Sequence, residues 1–171
     1  MIATCDKKGN ITGEIERWEA HEKGILHRAF SLALIYKGQY IVQHRKHPLF
    51  NGTLDITASS HQVMEAGKLE DTLKACERAL FREWKIKKSD FIGKMKIKGA
   101  IYYKAKDPNS IYTEHEYCDI VELKVKKIPQ PNYEVAYGVS VASKKELLDK
   151  KSLIYKTLTP WTIKTLEENL L

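Results

Sequence analysis

A single change of period constrains the fold more than any other feature. Between Leu69 and Ile86 the apolar residues Leu69, Leu73, Cys76, Leu80 and Trp84 recur at helical spacing. Glu70 and Asp71 stand in the expected first turn, where the helix dipole favours anions. The stretches on either side read as strands. Phe30 to Tyr36 and Gln39 to Gln43 pair about a Lys37-Gly38 turn, and Leu54 to Ser60 forms a further extended piece. Met95 to Tyr103, Glu114 to Val125 and Val135 to Ala142 follow the helix, and Gly9-Asn10 marks another turn. Ser143-Lys144-Lys145-Glu146 is a capping box, and Thr159 caps a last helix that has Pro160 at its first position. One central helix among strands, closed by a C-terminal helix, predicts a mixed α/β (α+β) domain. It is not a βαβαβ series, which argues against a doubly wound nucleotide-binding fold.

The chain has 171 residues, 43% hydrophobic and 30% charged, and reads as one globular domain over 1–171. A domain of this length buries roughly 70% of its unfolded surface, so folding needs neither disulfide nor metal. Cys5, Cys76 and Cys118 are odd in number and far apart, which argues against a disulfide framework and a cysteine-rich zinc site. No apolar run approaches the roughly 20 residues of a membrane span. The first residues lack the basic-then-apolar layout of a secretory signal, so a cytoplasmic location is expected. The net charge of +7 raises the local concentration of anions without choosing among nucleic acid, membrane surface and phosphorylated small molecule. Tyr102, Tyr103, Tyr112 and Tyr117 alternate like strand residues rather than forming a stacking platform, which disfavours nucleic acid.

Five metal-capable side chains stand out: His21, His27, His61, Glu114 and Glu116. Glu114 and Glu116 are two apart on an expected strand, so they share a face, with His115 on the other. Two carboxylates that close need a cation between them, or one must hold a proton. His21 and His27 lie in a segment that reads as a loop running into a strand. Three imidazoles and two carboxylates suit Zn²⁺, Mn²⁺ or Mg²⁺-like ions by ligand type, although spacing alone does not assemble them. Glu83, closing the long helix, is a candidate Mg²⁺ ligand beside a diphosphate, and Arg17, Arg45, Lys46 and His47 are candidates to steer phosphate oxygens. For each of these the plain alternative is a solvated surface group. Trp161, in the first turn of the last helix, either covers a pocket or fills the core.

Taken in order, several short motifs add up. They are Asp6…Gly9…Gly13, Ala20-His21, Leu26-His27-Arg28-Ala29-Phe30-Ser31 and Ser59-Ser60-His61. The helix end from Arg78 to Glu83, Asp107-Pro108 with Glu114-His115-Glu116, Ser143 to Leu147 and Thr159-Pro160-Trp161 complete the set. In this order the chain resembles the type 1 isopentenyl diphosphate isomerases, a branch of the Nudix superfamily. The resemblance implies a mixed β-sheet sandwiched between helices. It implies His21, His27, His61, Glu114 and Glu116 as ligands of one divalent metal, Mn²⁺ or Zn²⁺, and Glu83 as ligand of a Mg²⁺ on the substrate diphosphate. Glu116 and Tyr103 fall on acid–base positions, Arg78 on a phosphate contact and Trp161 on the aromatic wall of the pocket. The implied reaction interconverts isopentenyl and dimethylallyl diphosphate, in a monomer or a homodimer. Moving the double bond requires a proton on one side and its removal from the other, with a tertiary carbocation between. An indole face stabilises such a cation by about 2 kcal/mol or more when desolvated.

The pattern breaks at one functional position. The family carries cysteine two residues before its histidine ligand, and here that position is Ser59. A thiol of pKa about 8.5 acts as a base near neutrality, whereas an unactivated hydroxyl is far poorer, and no histidine in the sequence is free to activate it. Arg78-Ala79 replaces a pair of basic residues and Asn51-Gly52 a Pro-Gly. Two competing readings are a Nudix pyrophosphohydrolase acting on a nucleoside diphosphate derivative and a non-catalytic diphosphate-binding relative. Nudix hydrolysis depends on the pattern Arg-Glu-x-x-Glu-Glu, and Arg78 to Glu83 keeps one of those glutamates.

Overall fold

The apolar run at Phe30–Tyr36 becomes the centre of the molecule because only Ser31 interrupts it. In the computed structural model, which describes residues 1–171, β3 (His27–Tyr36) is buried along nearly its whole length. Its alternate residues divide between two cores. Ala29, Ala33 and Ile35 pack in a layer with Leu147 of α3 (Lys144–Leu148) and Trp161 and Leu166 of α5 (Pro160–Glu167). Phe30, Leu32 and Leu34 pack against Ala75, Cys76, Ala79, Leu80 and Trp84 of α2 (Thr72–Trp84). The sheet thus lies between helices, as predicted. β3 runs parallel to β10 (Thr113–Val125), which pairs antiparallel with the long β9 (Phe91–Lys106). On the other side of β3 lie β4 (Gln39–Arg45) and β11 (Ala136–Ala142), and the hairpin β1 (Ile2–Cys5) and β2 (Ile11–Ile15) joins at Thr4 and His27.

The sheet forks, and the fork makes room for a site. Lys37 and Gly38 both take positive φ, 48° and 80°, in the tight turn between β3 and β4. The two strands pair only at Ile35–Tyr40 and Tyr36–Gln39 before they part. Into the gap come β5 (Leu54–Ile56), paired with β4, and β6 (Ala58–Ser60), paired with β3. Thr57 stands between them at φ 44°, a conformation that β-branched residues avoid. Its hydroxyl donates to the Ile41 carbonyl at 2.6 Å and accepts the Leu34 N–H at 3.0 Å, tying the parting strands together.

Several local expectations are corrected. The segment carrying His21 is a helix, α1 (Arg17–Lys23), stopped by Gly24 in the left-handed region at φ 60°. Seven residues are too few to display a helical period. The long helix starts at Thr72 rather than Leu69: Asp71 is its N-cap, accepting from the Leu73 and Lys74 N–H groups, and its first turn holds no acid. Leu69 belongs to the two-stranded ribbon of β7 (Met64–Glu65) and β8 (Lys68–Leu69). Thr159 stands at the N-cap of α5 without capping it; its hydroxyl bonds Asp55 and Thr162 instead. The β1–β2 hairpin and the short α4 (Leu153–Thr157) carry no period in the sequence. No helix is long and apolar enough to cross a membrane, and all three cysteines are free and buried.

Candidate functional site

His27, Glu116 and Tyr103 form a row across three strands, since Glu116 is in register with His27 on β3 and with Tyr103 on β9. Glu114 lies two residues before Glu116 on the same face of β10, while His115 turns away to Tyr102 and the Gly24 carbonyl. α1 brings His21 over this face, and the chain leaving β6 brings His61. One ligand atom from each of His21, His27, His61, Glu114 and Glu116 lies within 4.8 Å of all the others. The fold assembles what spacing left scattered.

The contacts inside this cluster crowd imidazole nitrogens against carboxylate oxygens. His21 and His27 donate from Nδ1 to the carbonyls of Arg17 and Ile25, at 2.6 and 2.7 Å, which turns each Nε2 into the cluster as the remaining ligand atom. His21 Nε2 faces Glu114 Oε2 at 3.1 Å, and against burial the Glu114 carboxylate pulls the His21 pKa up. His27 Nε2 faces His61 Nε2 at 3.2 Å and Glu116 Oε1 at 3.5 Å, and His61 Nε2 lies 3.1 Å from the same oxygen. Burial pushes the His61 imidazole down to about 4, against the pull of Glu116, so it is neutral at pH 7. Burial and the neighbouring Glu116 charge push Glu114 up. Against burial, hydrogen bonds from His27 and His61 hold Glu116 well below the usual range. Inward-facing imidazole nitrogens and two adjacent carboxylates match a cation, and the imidazole-rich donor set fits a divalent transition metal.

Beside the cluster a cavity of about 360 Å³ opens in the fork. Trp161 and Tyr103 stand on its wall with ring centroids 5.9 Å apart, and the Tyr103 hydroxyl donates to Glu116 Oε2 at 2.5 Å. Burial, then the Glu116 charge, holds this phenol protonated, well above its ordinary pKa. Glu83 reaches the cavity from the last turn of α2, buried and bonded to Arg82. Burial raises its pKa against the Arg82 charge. Arg17 and His47 line the cavity as well. His47 is no cation: burial, then Arg45 and Arg17, push its pKa down to about 3. Its Nδ1 accepts the Leu49 N–H, so the proton sits on Nε2, a neutral donor.

Not every expected residue reaches the cavity. Arg78 lies elsewhere, its guanidinium held by Glu70 and the His61 carbonyl, because the strong ion pair with Glu70 turns it along the helix flank. Arg82, one turn on, takes a place on the cavity wall instead. Arg45 lines the cavity, yet its charge is spent on Asp55 at 3.0 Å. Lys46, exposed, bonds the Tyr133 carbonyl, and fully buried His27 sits behind the wall. Ser59 and Trp161 meet at 3.0 Å, indole N–H to hydroxyl. Trp161 therefore fills the core and walls the cavity at once. Asp55 was missed by sequence reasoning. Its signal was a lone charge between Leu54 and Ile56 in a short apolar strand, where a carboxylate must find partners or stay outside.

A mixed sheet between helices, with a helix-borne glutamate facing a cavity on the sheet, defines a Nudix-fold protein. A crystal structure of a Deinococcus radiodurans protein superposes with a TM-score of 0.73 at 15% identity, covering 98% of this chain and 97% of that one. A MutT protein from Methanosarcina mazei superposes at 0.63 with 12% identity, over 85% and 92% of the two chains. No family model matches the chain. By sequence, the chain belongs to the isopentenyl-diphosphate Delta-isomerase family. It is 32% identical to isopentenyl-diphosphate Delta-isomerase 1 of Mesocricetus auratus over 178 residues, 94% of this chain and 78% of that protein. It is 25% identical to isopentenyl-diphosphate delta-isomerase 2 of Homo sapiens over 187 residues, 100% of this chain and 82% of that protein.

Proposed function

We propose that this protein interconverts isopentenyl and dimethylallyl diphosphate, adding a proton to one end of the allylic unit and removing one from the other. The observation that carries the reading is the Tyr103–Glu116 pair, a phenol donating at 2.5 Å to a buried carboxylate beside the Trp161 ring. A cationic carbon against an aromatic ring is stabilised without a nucleophile attacking it. Glu116 and Tyr103 hold and return the proton on one side of the substrate; Ser59 stands on the wall for the other. Arg17, Arg82 and the neutral His47 donate to the diphosphate, which orients the hydrocarbon toward Glu116. Mn²⁺ or Zn²⁺ held by His21, His27, His61, Glu114 and Glu116, and Mg²⁺ held at Glu83, would supply the positive charge that favours the ionised forms of Glu114 and Glu83 and lets the diphosphate approach.

The test is incubation of the metal-supplemented protein with isopentenyl diphosphate and Mg²⁺ in D₂O. Dimethylallyl diphosphate carrying deuterium is the expected product. Its absence, together with phosphate release from a panel of nucleoside diphosphate derivatives, replaces this reading with hydrolysis. With one glutamate left of the hydrolase pattern, that release is expected to be absent.

A further inference from the structure

We propose that Asp55 supplies the base that Ser59 alone lacks, taking up a proton that Ser59 relays from the substrate carbon. The proposal rests on the isomerase reading above. Ser59 Oγ donates to Asp55 Oδ2 at 2.9 Å and is itself approached by Ser31 Oγ at 2.7 Å and Trp161 Nε1 at 3.0 Å. The Cys118 thiol donates to Ser31 Oγ at 3.7 Å, which directs the Ser31 proton onward to Ser59. The chain of donors runs one way, from Cys118 through Ser31 and Ser59, and ends on the carboxylate.

Asp55 is fully buried, and donors surround both of its carboxyl oxygens. Arg45 Nη1 reaches Oδ2 at 3.0 Å, while Trp161 Nε1 and Thr162 Oγ1 reach Oδ1 at 2.8 and 3.0 Å. None of these partners belongs to the imidazole–carboxylate cluster. The single Trp161 N–H is divided between Asp55 Oδ1 at 2.8 Å and Ser59 Oγ at 3.0 Å, so when it settles on Asp55 one lone pair of Ser59, which lines the cavity, is released to take a proton while the Ser59 hydroxyl points at the carboxylate. This is the nucleophile-and-base arrangement in which a neighbouring group activates a weak hydroxyl.

The step balances. A C–H bond of the substrate cation breaks toward Ser59 Oγ, and its electron pair becomes the new C=C bond. The original hydroxyl proton of Ser59 passes to Asp55 Oδ2, so Ser59 ends as it began and Asp55 ends as a carboxylic acid. Cation and carboxylate are replaced by alkene and acid. In the reverse direction the acid returns the proton by the same path. Asp55 acts through Ser59 and is a positioning residue that stores the proton.

The test uses the metal-loaded full chain with isopentenyl diphosphate in D₂O, comparing wild type, D55N, S59A, S59C and the D55N/S59C double variant. Removing the relay lowers kcat by about 10²–10⁴-fold in D55N and in S59A, with KM and the calorimetric Kd for isopentenyl diphosphate within about threefold. The thiol of D55N/S59C needs no carboxylate and recovers at least about tenfold over D55N. S59A, which keeps the Arg45–Asp55 pair, carries the test if D55N does not fold. Two results overturn the role of Asp55 and leave the isomerase reading standing. One is an active wild type with D55N or S59A within about fivefold of it, or with no rescue in the double variant. The other is an inactive wild type that S59C makes active. Inactivity of both wild type and S59C overturns the isomerase reading and the role of Asp55 with it.

Discussion

His47 stands in the cavity as a neutral imidazole. Burial, then the charges of Arg45 and Arg17, lower its imidazole from 6.5 to about 3. The unfolded chain takes up a proton near pH 6.5 that the folded protein refuses until about pH 3, so the unfolded state binds more protons between those values. Stability is flat in this group above pH 6.5 and is lost as pH falls through that window, by up to about 1.4 kcal/mol per unit. His47→Gln removes that loss. Urea denaturation at pH 7 and pH 5 should show a smaller drop for the variant, and equal drops would mean that the imidazole accepts its proton normally. Trp161→Phe isolates another contribution: it deletes the N–H on Asp55 and Ser59 while keeping most of the ring. A loss of about 1.5–3 kcal/mol in urea denaturation is expected for a buried hydrogen bond to a charged partner. The five metal-capable residues were legible because their types are those a divalent ion needs. Asp55 and Arg82 were not. An aspartate in a three-residue strand reads the same whether solvated or fully buried, and Asp55 is closed over by α5, whose Trp161 is 106 residues away in sequence.

The fork between β3 and β4 depends on one hydroxyl. Thr57 holds a left-handed backbone and replaces the ladder hydrogen bonds that the strands give up when they part. Thr57→Val keeps the shape and leaves the Leu34 N–H and Ile41 carbonyl buried without partners, so a loss of about 2–4 kcal/mol is expected. Thr57→Ser keeps the hydroxyl and is expected to stay near wild type. A valine variant as stable as wild type in urea would show that the bridge carries no weight. Sequence period identified α2, β3, β4 and β10 because each buries a regular stripe or run. It was blind to α1, whose seven residues make under two turns, and to the break at Thr57, which follows from the geometry of the gap. These two places carry His21 and set the path to Ser59 and His61. The irregular parts of the fold, which period does not describe, are the parts that aim the site.

At the scale of the whole molecule, the site is a joint between elements that no local signal connects. α1, β3, β10 and the segment after β6 each contribute to the imidazole–carboxylate cluster, and only the order of short motifs along the chain showed that they converge. That convergence has a thermodynamic consequence. Two carboxylates, Glu114 and Glu116, are crowded with three imidazoles within 4.8 Å, and an unfolded chain separates their like charges. An ion that binds the folded cluster and not the unfolded chain therefore stabilises the whole domain, by about 2.7 kcal/mol at a hundredfold excess over its Kd. For a domain of this size each kcal/mol shifts Tm by about 2–4 °C, so chelation is expected to lower Tm by about 5–10 °C. Mn²⁺ or Zn²⁺ added back should restore it. His61→Ala keeps the fold but opens the cluster, and in that variant chelator and metal should move Tm far less. A wild-type Tm indifferent to both chelator and added metal would mean that the five side chains gather around no ion.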